Sequence, residues 1–203
     1  DESLPDFMKV FAANVDAGTP SDPEVQANSV RAYYAMVTFI DELIGDMTQA
    51  LEETGQVDDT VIVYTADHGT MLGRRGLWYK NQLLEPSIRN PLLVRYPDRF
   101  RQGAAEECVV SLLDIFPTLA ELGETACWRD AAGDSIVPLL AGEEDHGFED
   151  RPVFIEYADF GIGQPAAWIQ RRNLKLIAVR TFKSVLYDLA KDPQEWHDLY
   201  ATG

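Results

Sequence analysis

The stretch from Val61 to Lys80, VIVYTADHGTMLGRRGLWYK, decides the reading of this chain. Thr60–Thr65 (TVIVYT) is continuously apolar and β-branched. That composition suits a strand buried on both faces, as in a parallel sheet between helix layers. The run ends abruptly in Ala66-Asp67-His68-Gly69. In open α/β sheets, ligands bind where loops diverge from the carboxyl ends of strands. There the backbone can turn and aim Asp67 and His68 into one cleft. Gly69 permits the close approach or positive φ that such a turn requires. A carboxylate oxygen and an imidazole nitrogen are a sound ligand pair for a divalent ion. The mixed set suits Mn²⁺ or Zn²⁺ somewhat better than Ca²⁺, which prefers oxygen throughout. Two ligands do not complete a site, and the alternative is an Asx turn and nothing more. Lys80, twelve residues after His68, either donates to an anionic group as a mobile point charge or is a solvated surface residue.

Upstream lies the clearest periodic signal in the chain. Val30, Tyr33, Val37, Ile40, Ile44, Met47 and Leu51 recur at spacings of three and four, one apolar stripe on a long core-facing helix over residues 24–54. Ser21-Asp-Pro-Glu24 has the S-x-x-E pattern of an N-terminal cap, and Gly55 is a C-terminal stop. Residues 1–23 read as loop with one short helix at most. Downstream, Pro91–Tyr96 and Glu107–Leu112 are expected strands, and Asp114–Leu122 an expected helix with Pro117 in its first turn. This alternation is the α/β signature. The acidic, turn-like segment near residue 141 marks a boundary. It divides residues 1–141 from a smaller, mainly antiparallel piece over 142–203, with a hairpin turn at Arg171–Asn173.

The 203 residues carry 17 Lys+Arg and 34 Asp+Glu, a formal net charge of −17. That argues against non-specific binding to nucleic acid or to an anionic membrane. It leaves room for an anionic substrate in a pocket whose charge is reversed locally. Cys108 and Cys127 lie in no CxxC pattern, so neither a disulfide framework nor a zinc cluster is expected. No run of about 18 apolar residues is present to span a bilayer, and a cytoplasmic setting is expected. Trp78 and Tyr79 beside Lys80 are core residues or part of an aromatic wall for a cationic substrate. Trp168, Trp196 and Tyr200 read as core or interface anchors.

The run RAYYAMVTFIDELIGDMTQALEETGQVDDTVIVYTADHGTMLGRRGLWYK resembles the sulfatases of the alkaline phosphatase superfamily. EPSIRNPLLVRYP, VVSLLDIFPTLAELG, NLKLI and LYDLAKDPQEWHDLY continue the match in order. MLGRRGLWYK is most similar to choline sulfatase and to relatives such as phosphonate monoester hydrolases. The resemblance implies part of an alkaline-phosphatase-like three-layer α/β sandwich with a smaller C-terminal antiparallel β-rich subdomain. It implies that Asp67 and His68 are ligands of one divalent metal, calcium or manganese. It also implies that Lys80 contacts the sulfate and helps the leaving group. Arg89 matches a recurrent arginine given a structural role, with Glu85 as its expected partner. The family nucleophile, a Cys or Ser in C/S-x-P-x-R oxidised to formylglycine, has no counterpart in these residues, nor do the N-terminal Asp-Asp ligands. The chain therefore resembles the C-terminal half of a sulfatase, and the formylglycine is expected only in the N-terminal half. A small sulfate, phosphate or phosphonate ester is the implied substrate. An oligomer, or pairing with the N-terminal half, is expected to cover a strand edge and an apolar helix face otherwise left open. The competing readings are another superfamily phosphohydrolase or mutase, which would need further His and Asp ligands, and a non-catalytic assembly module.

Overall fold

The computed structural model describes residues 4–15, 19–80, 82–127, 130–144, 146–157 and 166–200. Its helices are α1 (Asp6–Val15), α2 (Pro23–Glu53), α3 (Glu85–Ile88), α4 (Ile115–Leu122) and α5 (Val137–Ala141). Its strands are β1 (Ile62–Thr65), β2 (Leu92–Arg95), β3 (Val153–Tyr157), β4 (Ala166–Arg171), β5 (Leu174–Val179) and β6 (Val185–Asp188).

The C-terminal strands form an antiparallel meander in the order β3-β4-β5-β6. Its inward row alternates as a half-buried sheet should: Lys175, Ile177 and Val179 on β5, and Val185 and Tyr187 on β6, are all buried. Trp168 on β4 stands opposite Ile155 and Ile177. The β4–β5 hairpin turns through Arg172 and Asn173 as the sequence implied, with Arg172 at φ 52°. Over this face lie Leu4, Phe7, Met8 and Phe11 together with Met71, Leu77, Leu83 and Leu84, all in one hydrophobic cluster. The sheet thus shares its core with the first helix and with the loop that follows Gly69.

The other sheet departs from expectation. β1 pairs with β2 antiparallel, Ile62 opposite Arg95 and Thr65 opposite Leu92. Its four residues are only half-buried. A doubly covered parallel strand needs helices on both faces, and the described residues supply them on neither in full. Residues 107–111 form no strand. Val109 packs against the larger cluster, Cys108 and Val110 against a smaller one of Ile136, Leu139 and Phe148. A single-stranded segment satisfies the apolar pattern there without a ladder.

α2 forms where its pattern requires, but it faces no core in this chain: none of its residues is buried. Val37, Ile40 and Met47 of its stripe are exposed, the last at 69%. Its ends are nonetheless well made. Asp22, one residue later than the S-x-x-E pattern suggests, is the N-cap, its carboxylate accepting from the Glu24 N–H at 2.7 Å. At the other end Gly55 takes φ 68°. The Gln56 N–H donates to Leu51 O at 2.9 Å and the Gly55 N–H to Glu52 O at 3.0 Å, a Schellman motif that satisfies the last carbonyls.

A 3-10 turn over Leu112–Asp114 leads into α4, and that turn starts from a capping box. Ser111 N–H donates to the Asp114 carboxylate at 2.7 Å and Leu113 N–H to Ser111 Oγ at 3.3 Å. Asp114 is fully buried and also accepts from the Arg151 guanidinium through both oxygens and from Asp134 N–H. A buried carboxylate needs that full set of donors.

Candidate active site

Asp67, His68 and Gly69 leave the end of β1. The Gly69 N–H donates to Ser87 O at 2.7 Å, tying the turn to α3. Of the two reasons for glycine at this position, the structure selects close approach. Gly69 does not take a positive φ, and a Cβ on it would run into the Pro86 carbonyl oxygen. The Asp67 carboxylate accepts from the His68 N–H at 2.9 Å, and Asn90 Nδ2 donates to the Asp67 carbonyl at 3.2 Å. That first bond reaches only the next residue; the N–H an Asx turn would use, that of Gly69, goes to Ser87 O instead.

The chain then makes a tight excursion and returns. Leu72, Gly73, Arg75, Gly76 and Tyr79 all take positive φ. Strained backbone of this density persists only where its surroundings hold it. Here the Met71 N–H donates to Tyr79 O at 2.7 Å and the Gly73 N–H to Leu77 O at 2.9 Å, while Met71, Leu77 and Trp78 are buried. The Thr70 hydroxyl also donates to Tyr79 O, at 3.2 Å. The residue before Lys80 is thus anchored beside the residues after Gly69. Trp78 belongs to the core, whereas Tyr79 is exposed at 51%.

The result brings all three sequence-predicted site residues together. Lys80 Nζ lies 2.6 Å from His68 Nε2, and Asp67 Oδ2 lies 3.4 Å from the same nitrogen. His68 Nδ1 is 2.8 Å from Gly69 O. A carbonyl oxygen only accepts, so Nδ1 carries the proton and Nε2 presents its lone pair. That is the tautomer of a metal-ligating imidazole whose second nitrogen is fixed by a backbone carbonyl. The 3.4 Å between Asp67 Oδ2 and His68 Nε2 is close to the spacing of two adjacent ligands on an ion bound at about 2.3–2.6 Å. The donors present thus fit a divalent ion as two of its ligands once Lys80 swings off the Nε2 lone pair it occupies here. Among the described residues no group of three His, Cys, Asp or Glu side chains comes together that could hold a metal. His146 and His197 are engaged elsewhere, with Phe148 N–H and with Asp192.

Other residues hold this arrangement in place. Glu85 does not pair with Arg89; its carboxylate takes Lys175 Nζ at 2.9 Å. Lys175 lies in the apolar row of β5 and is fully buried, and it also forms an ion pair with Glu195 at 2.6 Å, close in distance but outside hydrogen-bonding geometry. The second Glu195 oxygen accepts from the Glu85 N–H at 2.8 Å, and the Glu195 carbonyl accepts from Arg75 Nη1 at 2.6 Å. Burial pushes the Glu195 carboxyl above its ordinary range, and the Lys175 ammonium opposes that only in part. The sequence signal for this cluster was a lysine interrupting LKLIAV and an acid inside DPQEWHDLY. Neither residue type shows from sequence alone that it is buried.

A family model described as Sulfatase matches residues 4–125, and one described as N-sulphoglucosamine sulphohydrolase, C-terminal, matches residues 73–203. The chain belongs to the sulfatase family. It is 36% identical over 179 residues to the choline-sulfatase of Rhizobium meliloti (strain 1021), covering 84% of this chain and 33% of that one. The phosphonate monoester hydrolase of Agrobacterium radiobacter superposes with a TM-score of 0.73 at 30% identity, over 83% of this chain and 36% of the other. A protein solved with its substrate D-glucosamine-2-N,6-O-disulfate superposes with a TM-score of 0.77 at 28% identity, over 83% of this chain and 35% of the other. The chain spans about a third of the length of the curated relatives it matches. Its fold is that part of the sulfatase α/β architecture that ends in a four-stranded antiparallel sheet. No described helix is long and apolar enough to cross a membrane.

Proposed function

We propose that this chain contributes one wall of the active site of a sulfuric-ester hydrolase. Asp67 and His68 are two ligands of a divalent ion, calcium or manganese, and Lys80 is the contact to the sulfate group. The observation that carries this reading is the grouping of the three side chains after β1, with Lys80 Nζ 2.6 Å and Asp67 Oδ2 3.4 Å from His68 Nε2.

When bound, the ion would neutralise charge on the sulfate oxygens and lower the pKa of the attacking group. Asp67 supplies a carboxylate oxygen at the exposed end of β1. His68 supplies Nε2 and keeps its proton on Nδ1, against Gly69 O. Lys80, on a flexible stem, offers three donors to a sulfate oxygen or to the departing ester oxygen, where negative charge grows in the transition state. The 203 residues contain no C/S-x-P-x-R nucleophile, so this chain alone is inactive. The nucleophile and the other ligands come from the N-terminal half of a longer polypeptide. The uncovered stripe of α2 and the half-buried β1 support pairing with that half or with another copy. The resemblance to a phosphonate monoester hydrolase favours phosphonate esters as a second substrate class over a two-metal mutase.

The test uses the longer polypeptide. Calorimetric titration with Mn²⁺ and Ca²⁺ should give one site, lost in Asp67→Ala and retained in Lys80→Ala. Sulfate release from an aryl sulfate should fall by about two orders of magnitude or more in both variants. Unchanged metal stoichiometry in Asp67→Ala would falsify the ligand assignment. Normal turnover by the isolated 203-residue chain would refute the division of the site.

A further inference from the structure

The buried ions of the C-terminal tail touch both arms of the candidate site and neither of its proposed metal ligands. Glu195 is at the centre. Its side chain accepts from the Glu85 N–H at the start of α3, and α3 in turn receives the Gly69 N–H through Ser87 O. Its main-chain carbonyl accepts from Arg75, in the middle of the excursion that ends at Lys80. The Arg75 guanidinium also lies 4.7 Å from the centre of the Trp196 ring, a cation–π contact from the neighbouring tail residue. Lys175 anchors Glu195 and Glu85 together from beneath, inside the sheet.

Such a cluster is a weak source of stability. Two charges taken out of water recover little more than their desolvation cost, and apolar side chains of similar volume commonly serve as well or better. What apolar replacements could not supply is the directional bond to the Glu85 N–H. The positive-φ residues Leu72, Arg75 and Tyr79 also need something outside the loop to hold them.

We propose that Glu195, fixed by Lys175, is a positioning residue that sets the separation of the His68 arm from the Lys80 arm. The C-terminal tail is therefore part of the catalytic apparatus without touching substrate. This rests on the active-site reading above for its consequence in catalysis, but not for its geometry.

The experiment compares wild type with Glu195→Gln and Arg75→Met in the longer polypeptide. Arg75→Met unties the loop from the tail without leaving a buried charge alone, so it keeps the test open if Glu195→Gln fails to fold. Amide hydrogen exchange is read at Gly69 and Met71, whose N–H groups bond to Ser87 and Tyr79, and at Ile177 and Leu176 in β5. The expected result is exchange about tenfold faster at Gly69 and Met71 with β5 unchanged, the pattern of a local opening. Sulfate-ester turnover should lose kcat by about tenfold or more at nearly constant KM. Acceleration shared equally by β5 would make the cluster merely structural and overturn the proposal, as would unchanged exchange at Gly69 and Met71. If wild type turns over no sulfate ester, the functional reading fails while the exchange data still decide the positioning.

Discussion

α1 and α2 are both amphipathic, and they meet opposite fates. The ten residues of α1 bury Phe7, Met8 and Phe11 almost completely against the C-terminal sheet. The thirty-one residues of α2 bury none, although both of its ends are capped. Local signals therefore determine where a helix starts and stops, whereas burial depends on what the rest of the polypeptide brings to its face. One part of this molecule is a finished core and the other is a surface with the composition of a core.

The sharpest way to break that contrast is to attack the finished side. Phe11→Ala should cost about 3–5 kcal/mol, the usual penalty for emptying a buried aromatic site. The denaturant midpoint of the chain measures it, and a loss under about 1 kcal/mol would mean that α1 is not seated as described. A smaller effect should come from Tyr187, buried in the same core. Burial pushes its phenol up to about 12, with Arg75 pulling the other way. The unfolded chain gives up this proton near the ordinary value of 10 and the folded protein only near 12. Stability from this group is thus complete below about pH 10 and falls as pH climbs towards 12, by about 2–3 kcal/mol in total. Unfolding midpoints from about pH 9 to 12 should show that slope, and Tyr187→Phe should flatten it. The smallest effect belongs to the uncovered side. Met47, in the apolar stripe of α2 and 69% exposed, can become Ser in the isolated chain at a change within about 0.5 kcal/mol. If the longer polypeptide covers this face as proposed, the same substitution there should cost several times more. Equal, negligible effects in both would show that the α2 face stays open.

These two regions also explain what could be read in advance. α2, α4, β1, β2, the hairpin at Arg172 and the pairing of Asp67 with His68 follow from signals close together in the chain: periodicity, caps and a strand end; Lys80 joined them only through the resemblance to the sulfatases. The strand expected at 107–112 did not form, because an apolar run fits a cluster wall as well as a ladder. The antiparallel pairing of β1 with β2 depends on contacts between segments well separated in sequence, and no local pattern specifies direction. Lys175 and Glu195 were invisible for another reason. Their residue types predict exposure, and only the approach of three distant segments makes their burial sustainable.

The open face of α2 has a consequence for handling the protein. Copies of a chain carrying a formal charge of −17 repel one another, and that repulsion keeps their sticky helices apart. Added salt shortens the reach of the repulsion from about 10 Å at 0.1 M to about 3 Å at 1 M while leaving the apolar attraction in place. Unlike a protein held together by surface ion pairs, this one is expected to clump as the buffer becomes more concentrated and to disperse again on dilution into low salt.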